Sequence, residues 1–471
     1  MRTKTIIFYL FLLLHSISYG QNDKTKILQG SWIGKVTTKQ FSFHTALRFE
    51  VKNDSIKGFL DLPDQGYKNL ITDKVWTNQD SIFVDATKSL NAGIFFKGRI
   101  IPGDSVIDGI WDWNKNGALG LRLRPIIKNL NPEIKGYKII KLIKTTPVKD
   151  QQESYVCWTF ATTSFIETEA IRLGKSPVIL SPMCFIPPTA IDKAEKYIRM
   201  NGSSYFGAGD LTYSVLRAYK NFGAVPEVVY SGKIDPTSRY DQSKMDNALL
   251  EKVKYYVKSG RGKMTTEGYR KDIAEILSAT LGKIPDNFTY NQKQYTPKSF
   301  AKEMVGINPD DYIEITSYKH HPFYSKFILE IESNWNNNYY LNLPINDFID
   351  VIDSALLHNY SVCWDGDAYR CEGFYDGFAV LNDTIKNITQ QLRQIDFDNY
   401  NTVDQHNMHI MGVAENNKGK RFYIIKNSSD DRNCGGYLYM SKEYLLLKTI
   451  SVLVNKNAIP KYIKEKITPA L

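Results

Sequence analysis

The sequence has few of the residues that bind metal ions or form cross-links. Its 471 residues include only 5 cysteines and 7 histidines, and no CxxC pair or His/Cys cluster has the spacing of a zinc site. We therefore expect no metal and no cofactor. The odd number of cysteines leaves at least one thiol free. If Cys157 is that thiol, the others could form up to two disulfides, and they are Cys184, Cys363, Cys371 and Cys434.

Blocks of basic residues are also absent. The formal net charge of +10 at pH 7 is spread along the chain, and no nucleic-acid-binding motif accompanies it. A dispersed charge of this kind is typical of a solvated surface. We therefore expect no nucleic-acid partner.

Long hydrophobic runs are missing except near the amino terminus. The run from Ile6 to Leu14 is too short to span a membrane comfortably. It follows Arg2 and Lys4 and precedes small residues, which is the pattern of a secretory signal peptide in residues 1–20. We expect cleavage near Gly20 and a mature chain that is exported and soluble, in the periplasm or the extracellular medium, with no membrane span.

Residues 21–125 are expected to form a small all-β domain. The stretch "TALRFEV" places Leu47, Phe49 and Val51 on one face and polar residues on the other. Later stretches continue this pattern between turns: "DSIFVDA", "GIFFKGRI", "VIDGIWDW" and "LGLRLRP". Short strands at this spacing indicate a barrel or a sandwich. With "GSWIGKV" and "LDLPDQG", they resemble a small β domain that precedes the catalytic domain in many exported hydrolases of the Bacteroidetes. We interpret it here as a spacer or folding aid, with a substrate- or surface-binding module as the alternative.

The rest of the chain mixes helical and strand-like patterns. Residues 126–136 are interpreted as a linker and residues 137–471 as a second domain. Helical periodicity occurs in "FATTSFIETEAIR", "DLTYSVLRAYKNF", "MDNALLEKVKYYVKS", "YRKDIAEILSATLG" and "INDFIDVIDSALLHN". Strand-like runs follow near the end, in "HIMGVAE", "RFYIIKN" and "ISVLVNK". Helices first and strands later predict an α+β domain.

One cysteine has the setting of a nucleophile. Cys157 begins "CWTFATTSFIETEAIRLG", which is rich in helix formers and contains Gly174 as a C-terminal stop. A cysteine in the first helical turn is stabilised as a thiolate by unpaired backbone N–H groups and by the helix dipole. The alternative is that Cys157 is a small buried hydrophobic residue.

A histidine and an asparagine downstream favour the catalytic interpretation. Residues 406–427 contain two strand-like runs joined by a polar turn, which predicts a hairpin with His406 at one end and Asn427 at the other. The imidazole can then take the thiol proton while the carboxamide fixes its tautomer. Gln151 can donate to a developing oxyanion together with the backbone N–H of Cys157.

The order Gln, Cys, His, Asn, in "DQQESYVCWTFA", "HNMHIMG" and "YIIKNS", resembles the papain superfamily of cysteine peptidases. The long helical interval before the histidine is similar to the bleomycin hydrolase and aminopeptidase C branch. "YIRMNG", "TSYKHHPFY" and "LLLKTISVLVNKNAIP" resemble exported aminopeptidase C-like proteins of the Bacteroidetes. Over residues 137–465, the resemblance implies a papain-like α+β fold with large helical insertions. It implies Cys157 as nucleophile, His406 as general base, Asn427 as its orienting residue and Gln151 in the oxyanion hole.

Neighbouring residues of the same type compete for two of these roles. The family spacing of six residues to the cysteine selects Gln151 over Gln152. The interval to the strand glycine, Gly412, selects His406 over His409, which is interpreted as a strand or surface residue. A further histidine pair matches the family pattern and is interpreted as structural, namely His320 and His321.

Several positions around the expected cleft depart from the family pattern. Tyr155 replaces a glycine before the nucleophile, and Ser429 replaces the tryptophan that shields the histidine–asparagine pair. Gly209 and Asp210 stand where the family has paired glycines that meet the substrate main chain. With Trp158, these residues are expected to border the substrate cleft. The changes fit altered specificity, and they also fit an enzyme that is losing activity.

The resemblance implies an exported peptidase that hydrolyses peptide bonds through a thioacyl-enzyme. Free amino-terminal residues are the first expectation for the substrate. Endopeptidase action is an alternative, because "IPKYIKEKITPAL" looks shorter than the arm that limits bleomycin hydrolases to free amino termini. A catalytically weak papain-like protein that binds peptides is another. Peptides are the expected partners, and a homo-oligomer is left open.

Overall fold

The structure, a computed structural model, divides the chain into two compact units, one of Met1–Asn131 with Asp431–Gly435 and the other of Pro132–Asp430 with Gly436–Leu471. The predicted signal peptide at residues 1–20 and most of the predicted linker at 126–136 lie outside the described residues, so these boundaries stay predictions. The described residues are 28–37, 42–52, 55–62, 67–88, 93–101, 106–113, 118–126, 137–235, 237–259, 265–368, 377–381, 385, 387–429 and 435–468.

The described residues of the first unit form one antiparallel sheet of nine strands. They are β1 (Gly30–Thr37), β2 (Ser42–Lys52), β3 (Ser55–Leu62), β4 (Tyr67–Ile71), β5 (Lys74–Asn78), β6 (Ser81–Asp85), β7 (Ile94–Ile101), β8 (Val106–Trp113) and β9 (Ala118–Ile126). Their order is β4-β3-β2-β1-β9-β8-β7-β6-β5, so the hydrogen-bonded path among the described residues has two ends. Alternate residues such as Leu47, Phe49, Phe96 and Trp111 form its core. The predicted all-β character is confirmed.

The helices of the second unit occur mainly in its first half. They are α1 (Cys157–Arg172), α2 (Ile186–Arg199), α3 (Thr212–Phe222), α4 (Ser243–Ser259), α5 (Thr266–Leu281), α6 (Pro297–Phe300), α7 (Ile345–Leu357), α8 (Gln390–Asp398), α9 (Lys442–Lys448) and α10 (Lys461–Lys464). Five of them, α1, α3, α4, α5 and α7, were predicted and are confirmed. Within the described part of the chain, no helix is both long and apolar enough to cross a membrane.

The strands of the second unit form a large sheet and a small hairpin. They are β10 (Tyr137–Leu142), β11 (Phe288–Tyr290), β12 (Lys293–Tyr295), β13 (Tyr312–Thr316), β14 (Lys326–Ile328), β15 (Tyr339–Asn342), β16 (Val362–Gly366), β17 (Phe378–Ala379), β18 (His406–Asn416), β19 (Arg421–Lys426), β20 (Tyr437–Ser441) and β21 (Thr449–Asn455). The large sheet runs β14-β15-β13-β21-β16-β18-β19-β20-β17, with β10 also paired to β18. Strand β18 thus lies between β16 and β19.

The predicted hairpin of β18 and β19 is confirmed, with His409 opposite Lys426. Its register shifts between Ile410 and Gly412, which marks a bulge. A Cβ atom on Gly412 would lie 2.5 Å from the Lys141 carbonyl oxygen of the neighbouring strand β10. Glycine is therefore needed here for close backbone approach.

The described cysteines carry no disulfide. Cys157, Cys184 and Cys363 are all free thiols. The expectation of up to two bridges is therefore wrong as far as Cys184 and Cys363 are concerned. Both side chains are fully buried in the helical core, where they pack as small hydrophobic residues. Cys371 and Cys434 lie outside the described residues.

Candidate active site

Cys157 is the first residue of α1, as the sequence predicts. Every residue from Trp158 to Ala170 is buried, whereas Cys157 itself is half-buried. The helix ends near Leu173, and Gly174 follows with a φ of +80°. The thiol therefore stands at the accessible start of a helix that is otherwise enclosed in the core.

His406 and Asn427 meet at the open end of the hairpin. His406 is the first residue of β18, and Asn427 directly follows β19. The Nε2 atom of His406 lies 2.7 Å from Oδ1 of Asn427. A carboxamide oxygen only accepts hydrogen bonds, so the proton is on Nε2 and the lone pair is on Nδ1. The backbone N–H of Ser428 also donates to this oxygen, at 2.8 Å, which holds the carboxamide in place.

The thiol lies beside the residue that follows this histidine. The Sγ atom of Cys157 is 3.9 Å from Oδ1 of Asn407, which can accept the thiol hydrogen. Burial raises the pKa of Cys157 to about 12, with a smaller contribution from the charges of Asp404 and Asp365. Hydrogen bonds from the backbone oppose this rise. Burial therefore favours the protonated thiol, and its reaction needs a base.

Gln151 lies near the asparagine end of the site. Its backbone N–H donates to the carbonyl oxygen of Ser428 at 2.8 Å, which ties the segment before the helix to the residue after Asn427. Its side-chain Oε1 is buried and has no hydrogen-bond partner among the described residues. The neighbouring Gln152 instead accepts from the N–H of Tyr240 at 2.5 Å, which is a structural role.

Tyr155 has the backbone conformation that favours glycine. Its φ is +56°, in the left-handed region. Its side chain is 67% exposed, so the ring lies mostly in solvent. A non-glycine residue is strained in this conformation, which explains why a glycine suits the position.

The remaining cleft candidates differ in exposure. Trp158 is buried, and its indole N–H donates to the carbonyl oxygen of Ala208 at 3.0 Å. Asp210 is buried as well, and its Oδ2 lies 2.8 Å from Nζ of Lys193, so this ion pair supports the neighbouring segment 205–209. Gly209 is half-buried in that segment. Ser429 is half-buried after the hairpin, so both can border a cleft.

Five polar residues, linked in a chain that begins at the thiol, were missed by the sequence analysis. Asn407 Nδ2 donates to Asp365 at 3.3 Å, and the carboxyls of Asp365 and Asp404 are hydrogen-bonded to each other. Ser451 connects Asp365 to Glu314, at 3.5 and 3.3 Å. Burial raises the pKa of Asp404 to about 6 and that of Glu314 to about 7. The position of Asp404, two residues before His406, was the only signal in the sequence.

His409 occupies the structural role expected for it. It is fully buried, and its Nδ1 lies 2.9 Å from the hydroxyl of Ser164 in α1. Burial lowers the pKa of His409 well below its usual value, so the imidazole is neutral. It therefore joins α1 to β18 without acting as the base.

One group of side chains has atoms close enough to hold a metal ion. The Nε2 atoms of His320 and His321 lie 3.1 and 2.6 Å from the carboxylate of Glu330. However, Gln394 Nε2 donates to Nδ1 of His320 at 3.0 Å. This places the His320 proton on Nε2, where a metal would need a lone pair. These side chains therefore fit a structural hydrogen-bond network better than a metal site.

Comparisons with known proteins relate the second unit to a described family. Residues 211–470 match the sequence model of the Peptidase C1-like family, a range that contains His406 and Asn427 but not Cys157. Among solved structures, the chain is similar to PepW from Lactobacillus rhamnosis HN001, at 19% identity and a TM-score of 0.58, over 70% of this chain and 84% of that one. Bromelain protease from Ananas comosus with the E64 inhibitor matches at 15% identity and a TM-score of 0.31, over 68% and 98%. No curated protein matches.

Proposed function

The chain belongs to the peptidase C1-like family, and on that premise we propose that its papain-like α+β unit hydrolyses peptide bonds with Cys157 as the nucleophile. The observation that carries the proposal is the bond between His406 and Asn427. This bond holds a basic nitrogen, Nδ1 of His406, at the start of β18, and Asn407 of the same strand is in contact with the thiol.

The mechanism needs no group beyond these side chains and water. Nδ1 of His406 takes the thiol proton as the sulfur attacks the carbonyl carbon, and the C–N bond breaks as the imidazolium returns the proton to the leaving amine. Water then hydrolyses the thioester, with His406 as the base. Asn427 stabilises the imidazolium through its Oδ1. Gln151 and the backbone N–H of Cys157 stabilise the oxyanion.

A catalytically weak peptide-binding protein is the second candidate. The observation that favours it is the raised pKa of Cys157, at about 12. A proton held this tightly makes the thiolate–imidazolium pair costly to form. The leading proposal requires that His406 compensate for this cost when substrate excludes water from the site.

The finer assignment rests on the resemblance of the sequence. We propose cleavage after free amino-terminal residues, with endopeptidase action as the alternative. The pattern of residues 1–20 supports export, although those residues lie outside the described part of the chain. The N-terminal unit is assigned no catalytic role.

Labelling with a papain-type epoxide tests the assignment directly. The mature protein is treated with the epoxide and its intact mass is measured, with Cys157→Ala as the control. We expect one adduct on the wild type and none on the variant, because the epoxide reacts with a thiol that is activated as a nucleophile, and Cys184 and Cys363 are also fully buried. Absence of the adduct on a folded wild-type protein would favour the peptide-binding candidate, and peptidase activity retained by Cys157→Ala would refute the nucleophile.

A further inference from the structure

A large acidic cavity has Asp404, two residues before His406, in its lining. It has a volume of about 710 Å³, and four carboxyl groups line it, those of Glu330, Glu332, Asp398 and Asp404. The one basic side chain in its lining is His320, which is hydrogen-bonded to Glu330. We call this cavity the acidic pocket.

Asp404 connects the acidic pocket to the reacting sulfur. It lies two residues before His406, and its charge raises the pKa of the Cys157 thiol. Its carboxyl is hydrogen-bonded to Asp365, which in turn accepts from Asn407, the residue in contact with Sγ. The lining of the acidic pocket is therefore connected to the sulfur through the side chains of Asp365 and Asn407.

Further acidic side chains lie in the core next to Asp404. Asp365 and Glu314 are buried, and among the described residues neither they nor Asp404 form an ion pair with a basic side chain. Lys193 is the nearby cation, and it is already paired with Asp210 at 2.8 Å. A hydrogen bond between two carboxyls requires a shared proton, which Asp365 and Asp404 hold in place of a cation.

The same acidic residues act on a buried hydroxyl. Tyr340 is fully buried and does not line the acidic pocket, and its hydroxyl has no hydrogen-bond partner among the described residues. Burial raises the pKa of this phenol well above its usual value, and the charges of Glu314, Asp365, Asp404 and Asp210 raise it further. The buried polar groups behind Asp404 are therefore incompletely paired within the protein.

We propose that the acidic pocket binds a positively charged group of the substrate, with Asp404 as the residue that contacts it. This inference rests on the proposed peptidase function. The charged group is either the α-ammonium of a chain that ends beside the scissile residue or the side chain of a basic residue bound there. Asp404 is then a specificity-determining residue, since it lies two residues before His406 and also lines the cavity.

Two matched pairs of fluorogenic substrates distinguish the sources of the charge. Leucyl-aminomethylcoumarin and its N-acetyl derivative test the α-ammonium. Acetyl-Arg-Leu- and acetyl-citrulline-Leu-aminomethylcoumarin test the basic side chain, because citrulline keeps the shape of arginine without its charge. The wild type is compared with Asp404→Asn and with Asp286→Asn, the same change at a site that is 84% exposed.

In Asp404→Asn we expect the kcat/KM ratio of charged to neutral substrate to fall by about 10- to 100-fold for one pair, as a hydrogen-bonded charge is lost. Asp286→Asn should leave both ratios unchanged. The pair that responds identifies the source. Equal ratios in the wild type and Asp404→Asn would overturn the proposal. If Asp404→Asn does not fold, Glu332→Gln takes its place. This variant, at an exposed position of the lining, should lower the same kcat/KM ratio by a smaller factor.

A binding measurement separates failure of this inference from failure of the proposed function. Calorimetry on Cys157→Ala, with and without Asp404→Asn, compares Leu-Ala amide with its acetylated form and Arg-Leu with citrulline-Leu peptides acetylated at the amino terminus. Tighter binding of a charged member that disappears with Asp404→Asn supports the pocket even if the wild type has no activity. No preference for charge refutes it even if the wild type is an active peptidase.

Discussion

Replacement of Tyr155 by glycine should remove strain next to the nucleophile. At its φ of +56°, a non-glycine residue costs about 1–2 kcal/mol, whereas glycine adopts this conformation freely. The extra freedom of glycine in the unfolded chain costs about 0.4–1 kcal/mol. Tyr155→Ala keeps the backbone strain, and both variants lose the same aromatic ring. We therefore expect Tyr155→Gly to be more stable than Tyr155→Ala by about 0.5–1 kcal/mol, the difference between the two terms.

Urea denaturation of the two variants, followed by circular dichroism, measures this difference. The matched control is Tyr255, which is 57% exposed in the middle of α4. There, glycine should be less stable than alanine by about 1 kcal/mol, because it weakens a helix interior. The difference in stability between the glycine and the alanine variant should therefore have opposite signs at positions 155 and 255. If glycine is the less stable residue at position 155 as well, the backbone argument is wrong.

Two further predictions concern the site. Asn427→Ala removes the acceptor of the His406 N–H, so kcat should fall by about 10- to 100-fold, and an unchanged kcat in steady-state assays would contradict the role of the pair. Glu314→Gln tests the buried acid. Burial raises the pKa of Glu314 from 4.5 to about 7, so the folded state binds its proton more tightly and loses stability as pH rises through this range. The difference in unfolding free energy between Glu314→Gln and the wild type should favour the variant more at pH 8 than at pH 5, by up to about 3 kcal/mol. Equal effects in urea titrations at both pH values would disprove this.

The parts of the site predicted from sequence depend on local patterns. Helix formers after Cys157 place it at the start of α1, and the alternation around His406 and Asn427 predicts their hairpin. Each of these signals lies within about twenty residues of the side chain it positions. The raised pKa of the thiol was not predicted, because it depends on burial by distant segments and on the charges of Asp404 and Asp365.

Strands β13 and β16 were missed for a different reason. All five residues of each strand are buried, so neither has the alternation of apolar and polar residues that marks a strand with one solvated face. Both lie inside the large sheet, with β21 between them. Short, fully buried strands of this kind cannot be distinguished from buried helical segments by periodicity alone.

The acidic residues beside the thiol show why such a group must be found in three dimensions. Glu314 and Asp365 come from β13 and β16, and Asp404 from the segment before β18, which become neighbours through the strand order of the sheet. In the sequence each is an ordinary polar residue, since aspartate and glutamate are mostly exposed in proteins. Burial of carboxyls without a paired cation lowers stability, so packing alone does not explain their presence. A cation supplied by the substrate would compensate their charge, and that gain depends on the binding event and is invisible to any pattern in the chain itself.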